Sequence, residues 1–95
     1  MAAYVFAEIE VTDPAPYEEY RKQVLAVVTK YGGKFIVRGG KVDAKEGDWK
    51  PQRMIALEFP SMEQAQKWYH SPEYAPLIKL RQKASKGKLI LVEGA

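Results

Sequence analysis

The stretch YGGKFIVRGG, residues 31–40, decides the fold. Gly32-Gly33 stops a helix, because glycine takes the left-handed cap conformation without a side-chain penalty. KFIVRG (34–39) is then a strand, rich in β-branched and aromatic residues, and Gly39-Gly40 closes it. Upstream, Tyr17, Tyr20, Val24, Val27 and Tyr31 recur at three- and four-residue spacing, the apolar stripe of one helix. Asp13-Pro14 starts that helix, as a cap followed by proline at the first helical position. Before it, residues 4–11 (YVFAEIEV) alternate with a period of two. Val5, Ala7, Ile9 and Val11 fall on one face of a strand, Tyr4, Phe6, Glu8 and Glu10 on the other.

Working downstream, an arm carrying Gly47, Asp48 and Trp49 leads to a third strand in RMIALEF (53–59). Pro60 stops it. Ser61 with Gln64 reads as a capping box for a short helix through Trp68 and Tyr69. Ser71-Pro72 restarts helix, but Pro76 removes a hydrogen bond one turn later, so a loose turn is expected until about Leu77. KLILVE (88–93) is the last strand. The order βαββαβ is a ferredoxin-like split βαβ, expected as one α+β domain over residues 1–95 with two main helices. Its four-stranded antiparallel sheet is expected in the order 4-1-3-2. Helices cover one face of such a sheet. The other face, carrying Tyr4 and Phe6 or Val5 and Ile9, cannot stay wet without an exposed apolar patch. A symmetry-related sheet would cover it, so a homodimer is expected.

Composition excludes several classes. With no cysteine there is no disulfide framework, thiolate metal site or cysteine nucleophile. One histidine and no acidic triplet at ligand spacing argue against a metal, and Ser61, Ser71 and Ser85 have no histidine placed for a triad. No apolar run reaches the roughly 18 residues of a membrane span. The amino end MAAYVFAEIE lacks a signal peptide's basic region. The expected location is the cytoplasm. Fifteen basic residues against 12 acidic ones leave +3. The late cations Lys79, Arg81, Lys83, Lys86 and Lys88 surround a helix end, where they favour the dipole. The aromatic signature of an RNA-recognition strand is absent, so nucleic acid is not an expected partner.

Three constellations carry chemistry. Glu8, Arg38 and Glu58 are charges set mid-strand among apolar neighbours. In a 4-1-3-2 sheet Glu58 can meet Arg38 on one side and Glu8 on the other. Two carboxylates sharing a guanidinium would raise one pKa toward general acid–base work; the alternative is a cross-strand ion pair that holds register. In the second, Trp68, Tyr69 and Tyr74 flank a break between helices and would wall an aromatic pocket. His70 titrates nearest neutrality there, and Arg81 would clamp a carboxylate. Helical spacing from Met62 and Ala65 instead reads Trp68 as core, and His70, one residue before a cap, reads as exposed. The third is Arg38 with Gly39-Gly40 and Trp49. A turn accounts for the glycines; Trp49 reads as a dimer contact or a pocket lid.

Read with GDW (47–49), EFPS (58–61) and WYHSPEY (68–74), the opening stretch resembles the family called domain of unknown function 1330. That family is of the dimeric α/β-barrel type. The resemblance runs from the TDP turn at 12–14 to VEG at 92–94. It implies a dimeric barrel and assigns a shared pattern to Trp68, Tyr69, Ser71, Pro72, Glu73 and Tyr74. The position of His70 is frequently asparagine or aspartate in the family, which argues against a required base there. Arg81, in the Leu80-Arg81 pair, matches a family feature. Two functions follow as expectations. One is a binder of a small acidic or aromatic molecule between helices and sheet, needing no cofactor, with contacts from Arg38, Glu58, Trp68, Tyr69, His70, Tyr74 and Arg81. The other is a cofactor-independent enzyme, monooxygenase- or isomerase-like by fold analogy. There Glu58 or Glu8 would be the base, Arg38 and Arg81 would orient substrate, and Tyr17 or Tyr20 would donate a hydroxyl proton.

Overall fold

The computed structural model describes Met1–Ala95. Strand β1 (Ala3–Val11) lies in the middle of the sheet, antiparallel to β3 (Arg53–Phe59) on one side and β4 (Ser85–Glu93) on the other. β2 (Lys34–Arg38) adds to the far edge of β3, giving the order β2-β3-β1-β4. This is the 4-1-3-2 arrangement read from the opposite edge. The alternation of β1 survives intact: Ala3, Val5, Ala7 and Ile9 are each at most 5% exposed. They form the floor on which the helices pack. Three helices cover this floor: α1 (Pro14–Lys30), α2 (Met62–Tyr69) and α3 (Ala75–Ala84). No helix is long and apolar enough to cross a membrane.

Local chemistry sets the boundaries. α1 ends in the glycine pair: Gly33 N–H donates to Val28 O (2.9 Å) and Gly32 N–H to Thr29 O (3.0 Å). Gly32 takes φ +84°, the left-handed turn that closes this type of helix end. Asp13 stands at the N-cap of α1, but its side chain makes no cap bond. Its N–H instead donates to Ala84 O (3.0 Å) at the end of α3. The capping box at α2 is half formed. Ser61 Oγ accepts from Gln64 N–H (3.1 Å), whereas the Gln64 side chain donates to Tyr31 O (2.8 Å).

Four sequence expectations change. The loose turn ending near Leu77 is a ten-residue helix that begins at Ala75. Pro76 sits in its first turn, where a missing N–H removes no helix bond. There are accordingly three helices and not two. β4 starts at Ser85, three residues before KLILVE, because Ser85–Gly87 continue the ladder against Val11–Ile9. The fourth change has the largest consequence. A bulge interrupts β2 between Phe35 and Val37, so that Phe35 opposes Leu57 but Val37 opposes Ala56. One extra residue moves everything after it to the other face. Simple alternation from Lys34 would aim Arg38 away from the helices; the bulge turns it toward them.

The core is aromatic. Trp68 packs on Phe59 and Tyr74 at centroid distances of 5.3 and 4.3 Å, and Phe59 and Tyr74 are wholly buried. Burying a side chain such as Phe59 contributes about 1.5–3 kcal/mol. Gly33 lies against this cluster: a Cβ there would sit 2.5 Å from Phe59 Cε1 and 2.9 Å from Val28 Cγ1. Gly33→Ala is therefore expected to cost about 1–3 kcal/mol by overpacking. Gly40→Ala, which meets nothing within 4 Å, should stay within about 0.5 kcal/mol of the parent. Thermal unfolding of both variants checks the contrast; equal shifts would refute it.

Candidate functional site

Between the sheet floor and the helices α1 and α3 lies a slit-like cavity that reaches solvent. Its void is about 480 Å³ including the open mouth, of which about 30 Å³ is wide enough to centre a water. A water needs about 10–15 Å³ by this measure, so the slit is narrow as it stands. Its walls are mostly apolar, from Val5, Ile9, Ile55, Leu57 and Leu89 below to Val24 above. The polar lining consists of arginines and tyrosines, joined by the Trp68 indole. No Asp, Glu or His lines it.

Arg81 reaches the slit from α3, and only 7% of it is exposed. Its helix is terminated by Ser85, whose Oγ–H donates to Arg81 O (2.6 Å). The Tyr20 and Tyr74 hydroxyls share a hydrogen bond of 2.7 Å across the slit. Burial pushes the Tyr20 hydroxyl far up and the Tyr74 hydroxyl up, and the Arg81 charge beside them offsets this in part. Both stay protonated at neutral pH and offer O–H rather than phenolate.

Arg53 comes from the first position of β3, and its guanidinium carbon lies 5.8 Å from the centre of the Tyr17 ring. It also fills the space above Gly39: a Cβ there would sit 2.6 Å from Arg53 Cζ. Gly39 has φ +72°, so glycine serves both the turn and the cradle. Arg38, turned inward by the bulge, stacks on Phe35 at 4.4 Å. Arg21 completes the set and is held by Glu18 at 3.1 Å. Buried polar atoms ordinarily find partners. Three side-chain atoms here do not: Arg53 Nε, Trp68 Nε1 and Arg81 Nε. All are donors, and all three residues line this one slit.

The structure thus brings together Arg38, Trp68, Tyr74 and Arg81 from the sequence-derived set, with Tyr17 and Tyr20. Trp68 is both core and wall. Tyr69 stands behind the wall, edge-on to Trp68 and Tyr74 at 6.0 Å each. His70 is an exposed C-cap residue of α2, outside the slit.

The expected cluster of Glu8, Arg38 and Glu58 does not form. Glu58 opposes Lys34 and Tyr4, whereas Arg38 opposes Ile55 and Glu8 opposes Met54. The two carboxylates lie on the sheet face away from the helices, the opposite side from Arg38. Glu58 pairs with Lys34 Nζ (3.1 Å) and accepts from the Tyr4 hydroxyl (3.2 Å). The Lys34 bond chiefly, with the Tyr4 bond, holds its carboxyl below the usual range, the opposite of what a general base needs. Glu8 accepts from the Trp49 indole N–H (2.8 Å). Sequence reasoning missed Arg53, which reads as an ordinary flank of a strand. The one available signal was Gly39, whose missing side chain leaves room for it.

The family described as Domain of unknown function (DUF1330) matches residues 2–95. No curated protein matches in sequence. A protein of unknown function from Rhodopseudomonas palustris superposes with a TM-score of 0.73 at 18% identity, over 99% of this chain and 82% of that one. SnoaB, a cofactor-independent oxygenase from Streptomyces nogalater, does so with a TM-score of 0.63 at 14% identity, over 99% and 92%. A conserved protein of unknown function from Bacteroides thetaiotaomicron gives 0.64 at 15%, over 98% and 97%. At these identities the likeness is one of fold, a ferredoxin-like α+β layer common to all.

A clasp outside the slit ties its roof together. Glu73, in the link between α2 and α3, pairs with Lys30 Nζ and accepts from the Tyr31 hydroxyl (2.7 Å) at the end of α1. The Lys30 bond, then the Tyr31 bond, lower its carboxyl from 4.5 to about 2. A carboxyl lowered on folding stabilises above its unfolded value and loses that contribution as pH falls toward its folded value. Glu73→Gln should therefore lower Tm at pH 7, and the gap to the parent should close between pH 4.5 and about 2. Calorimetry across that range checks it; a gap independent of pH would contradict the assignment.

Proposed function

The chain belongs to the domain of unknown function 1330 family, and within that fold we propose that it is a homodimeric binder of a small organic acid, held in the slit between helices and sheet. The observation that carries this is that three residues with a buried, orphaned donor, Arg53 (Nε), Trp68 (Nε1) and Arg81 (Nε), all line one cavity. Guanidiniums and the indole can only donate, and together they ask for an electron-rich guest. Arg81 supplies buried charge, and the Tyr20–Tyr74 pair, with one hydroxyl donating to the other, leaves one O–H for a guest. Binding is better supported than acid–base catalysis. The slit has no carboxylate or imidazole, Tyr20 and Tyr74 stay protonated, and Glu8 and Glu58 face the other way.

The dimer rests on the uncovered sheet face. Phe6, Val37, Ile90 and Val92 are 38–57% exposed there, and register places Phe6 opposite Ile90 and Tyr4 opposite Val92. The Trp49 ring, 58% exposed, is drawn over the same face by its bond to Glu8. Charged groups surround this strip, with Lys34, Glu58, Glu8 and Lys88 on the same face. An apolar strip inside a charged rim is the anatomy of a specific interface, and a second copy offers the complementary strip.

Arg81→Met keeps much of the stem and removes a buried cation that has no carboxylate partner. It should leave Tm unchanged or raise it by a few degrees. Native mass spectrometry should find the parent as a dimer retaining a small acid, and the Met variant as an empty dimer. A large fall in Tm would make Arg81 structural, and retention by the variant would refute its role. For the interface, Phe6→Asp should give monomers in sedimentation equilibrium, and Trp49→Ala should weaken the dimer. An unchanged dimer in both would sink the proposal.

A further inference from the structure

We infer that the guest is a dianion, an acid with anionic groups at two ends of a flat apolar body; this rests on the acid-binding reading above. The count of charges is the first ground. Four arginines line the slit, and Glu18 neutralises Arg21 alone. Arg38, Arg53 and Arg81 have no carboxylate within ion-pair distance. Arg81 is buried and Arg53 half-buried, whereas Arg38 is solvent-exposed; a monoanion satisfies one of the two sheltered centres and leaves the other charge without a partner.

Their placement is the second ground. Arg81 stands beside Tyr74 and Tyr20, whereas Arg53 stands over Tyr17. The rings of Tyr17 and Tyr20 are 5.7 Å apart and those of Tyr20 and Tyr74 are 6.4 Å apart, so a row of tyrosines runs between the two cationic centres. Arg38 joins Arg53, because both lie on the inner face at the same end of the sheet, Arg38 opposite Ile55 and Arg53 two residues before it. The outer centre is thus a pair of guanidiniums, one of them fixed by the Gly39 cradle. Between the centres the walls are aliphatic and aromatic, and of the possible guests a planar body needs the least widening of the narrow slit. A guanidinium grips a carboxylate by two parallel bonds, so each end suits a carboxylate.

The test is an NMR titration of the intact protein with terephthalate, benzoate and the neutral benzamide, read at the Trp68 indole and at the Tyr20 and Arg81 amides. Terephthalate should bind about tenfold or more tightly than benzoate, and benzamide should leave these signals in place. In Arg53→Met, checked for folding by the dispersion of the same spectra, the advantage of terephthalate should collapse. Equal affinity for terephthalate and benzoate in the parent would overturn the dianion inference and leave acid binding standing. An undiminished advantage in the variant would show a bulk charge effect and overturn it as well. No response to either acid at millimolar concentration would overturn both readings.

Discussion

β1 is paired along both edges and buried along one face, and the rest of the molecule is arranged around that condition. Its small inward residues let the helices descend onto the sheet. Ala3 and Ala7 leave depth that Trp68, Tyr74 and Phe59 fill. The same strand puts Tyr4, Phe6 and Glu8 on the side where no helix lies. The molecule is 16 Å through its thinnest axis, the depth of one sheet and one helix layer. Such a slab is half a sandwich, and its uncovered apolar strip is the reason to expect a second half.

Against this ordinary core, the slit stands out chemically. An unsatisfied buried donor costs about 1–3 kcal/mol, and three of them line one place. Their concentration is more informative than their number. Scattered orphans would read as imperfect packing, whereas orphans on residues that line one gap, guanidiniums among them, fit the proposed site, kept at some loss of stability. The Tyr20–Tyr74 bond keeps two hydroxyls from adding to that loss.

Much of this was legible in the sequence, for identifiable reasons. The order of elements followed from glycine pairs and periodicity, and the sheet order from the split βαβ pattern. Pro76 misled because proline was judged as interior to a helix, when its place in the first turn made it harmless. The charged trio misled for a different reason. Glu8 and Glu58 were correctly taken as mid-strand charges, but alternation alone assigned Arg38 to their face. A bulge has no signature in KFIVR, because Ile36 suits a bulge as well as a regular strand. Trp68 and Tyr74 drew attention through their setting around Ser71-Pro72, and Arg81 through the Leu80-Arg81 pair; all three line the slit. Arg53 went unnoticed, since its role depends on the space above Gly39, and such space belongs to the folded chain.

The bulge also changes how kindred chains ought to be aligned. Five residues, Lys34–Arg38, form the strand that follows Gly33, and the extra one among them decides which side the arginine serves. A chain that had lost a single codon in this segment would keep its arginine on paper yet turn it toward the uncovered face of the sheet. Spacing between the two glycine pairs is then a better evolutionary character than the identity of the residue at any one position. Homologues sorted by that interval would separate those whose arginine lines the slit from those whose arginine faces the other way.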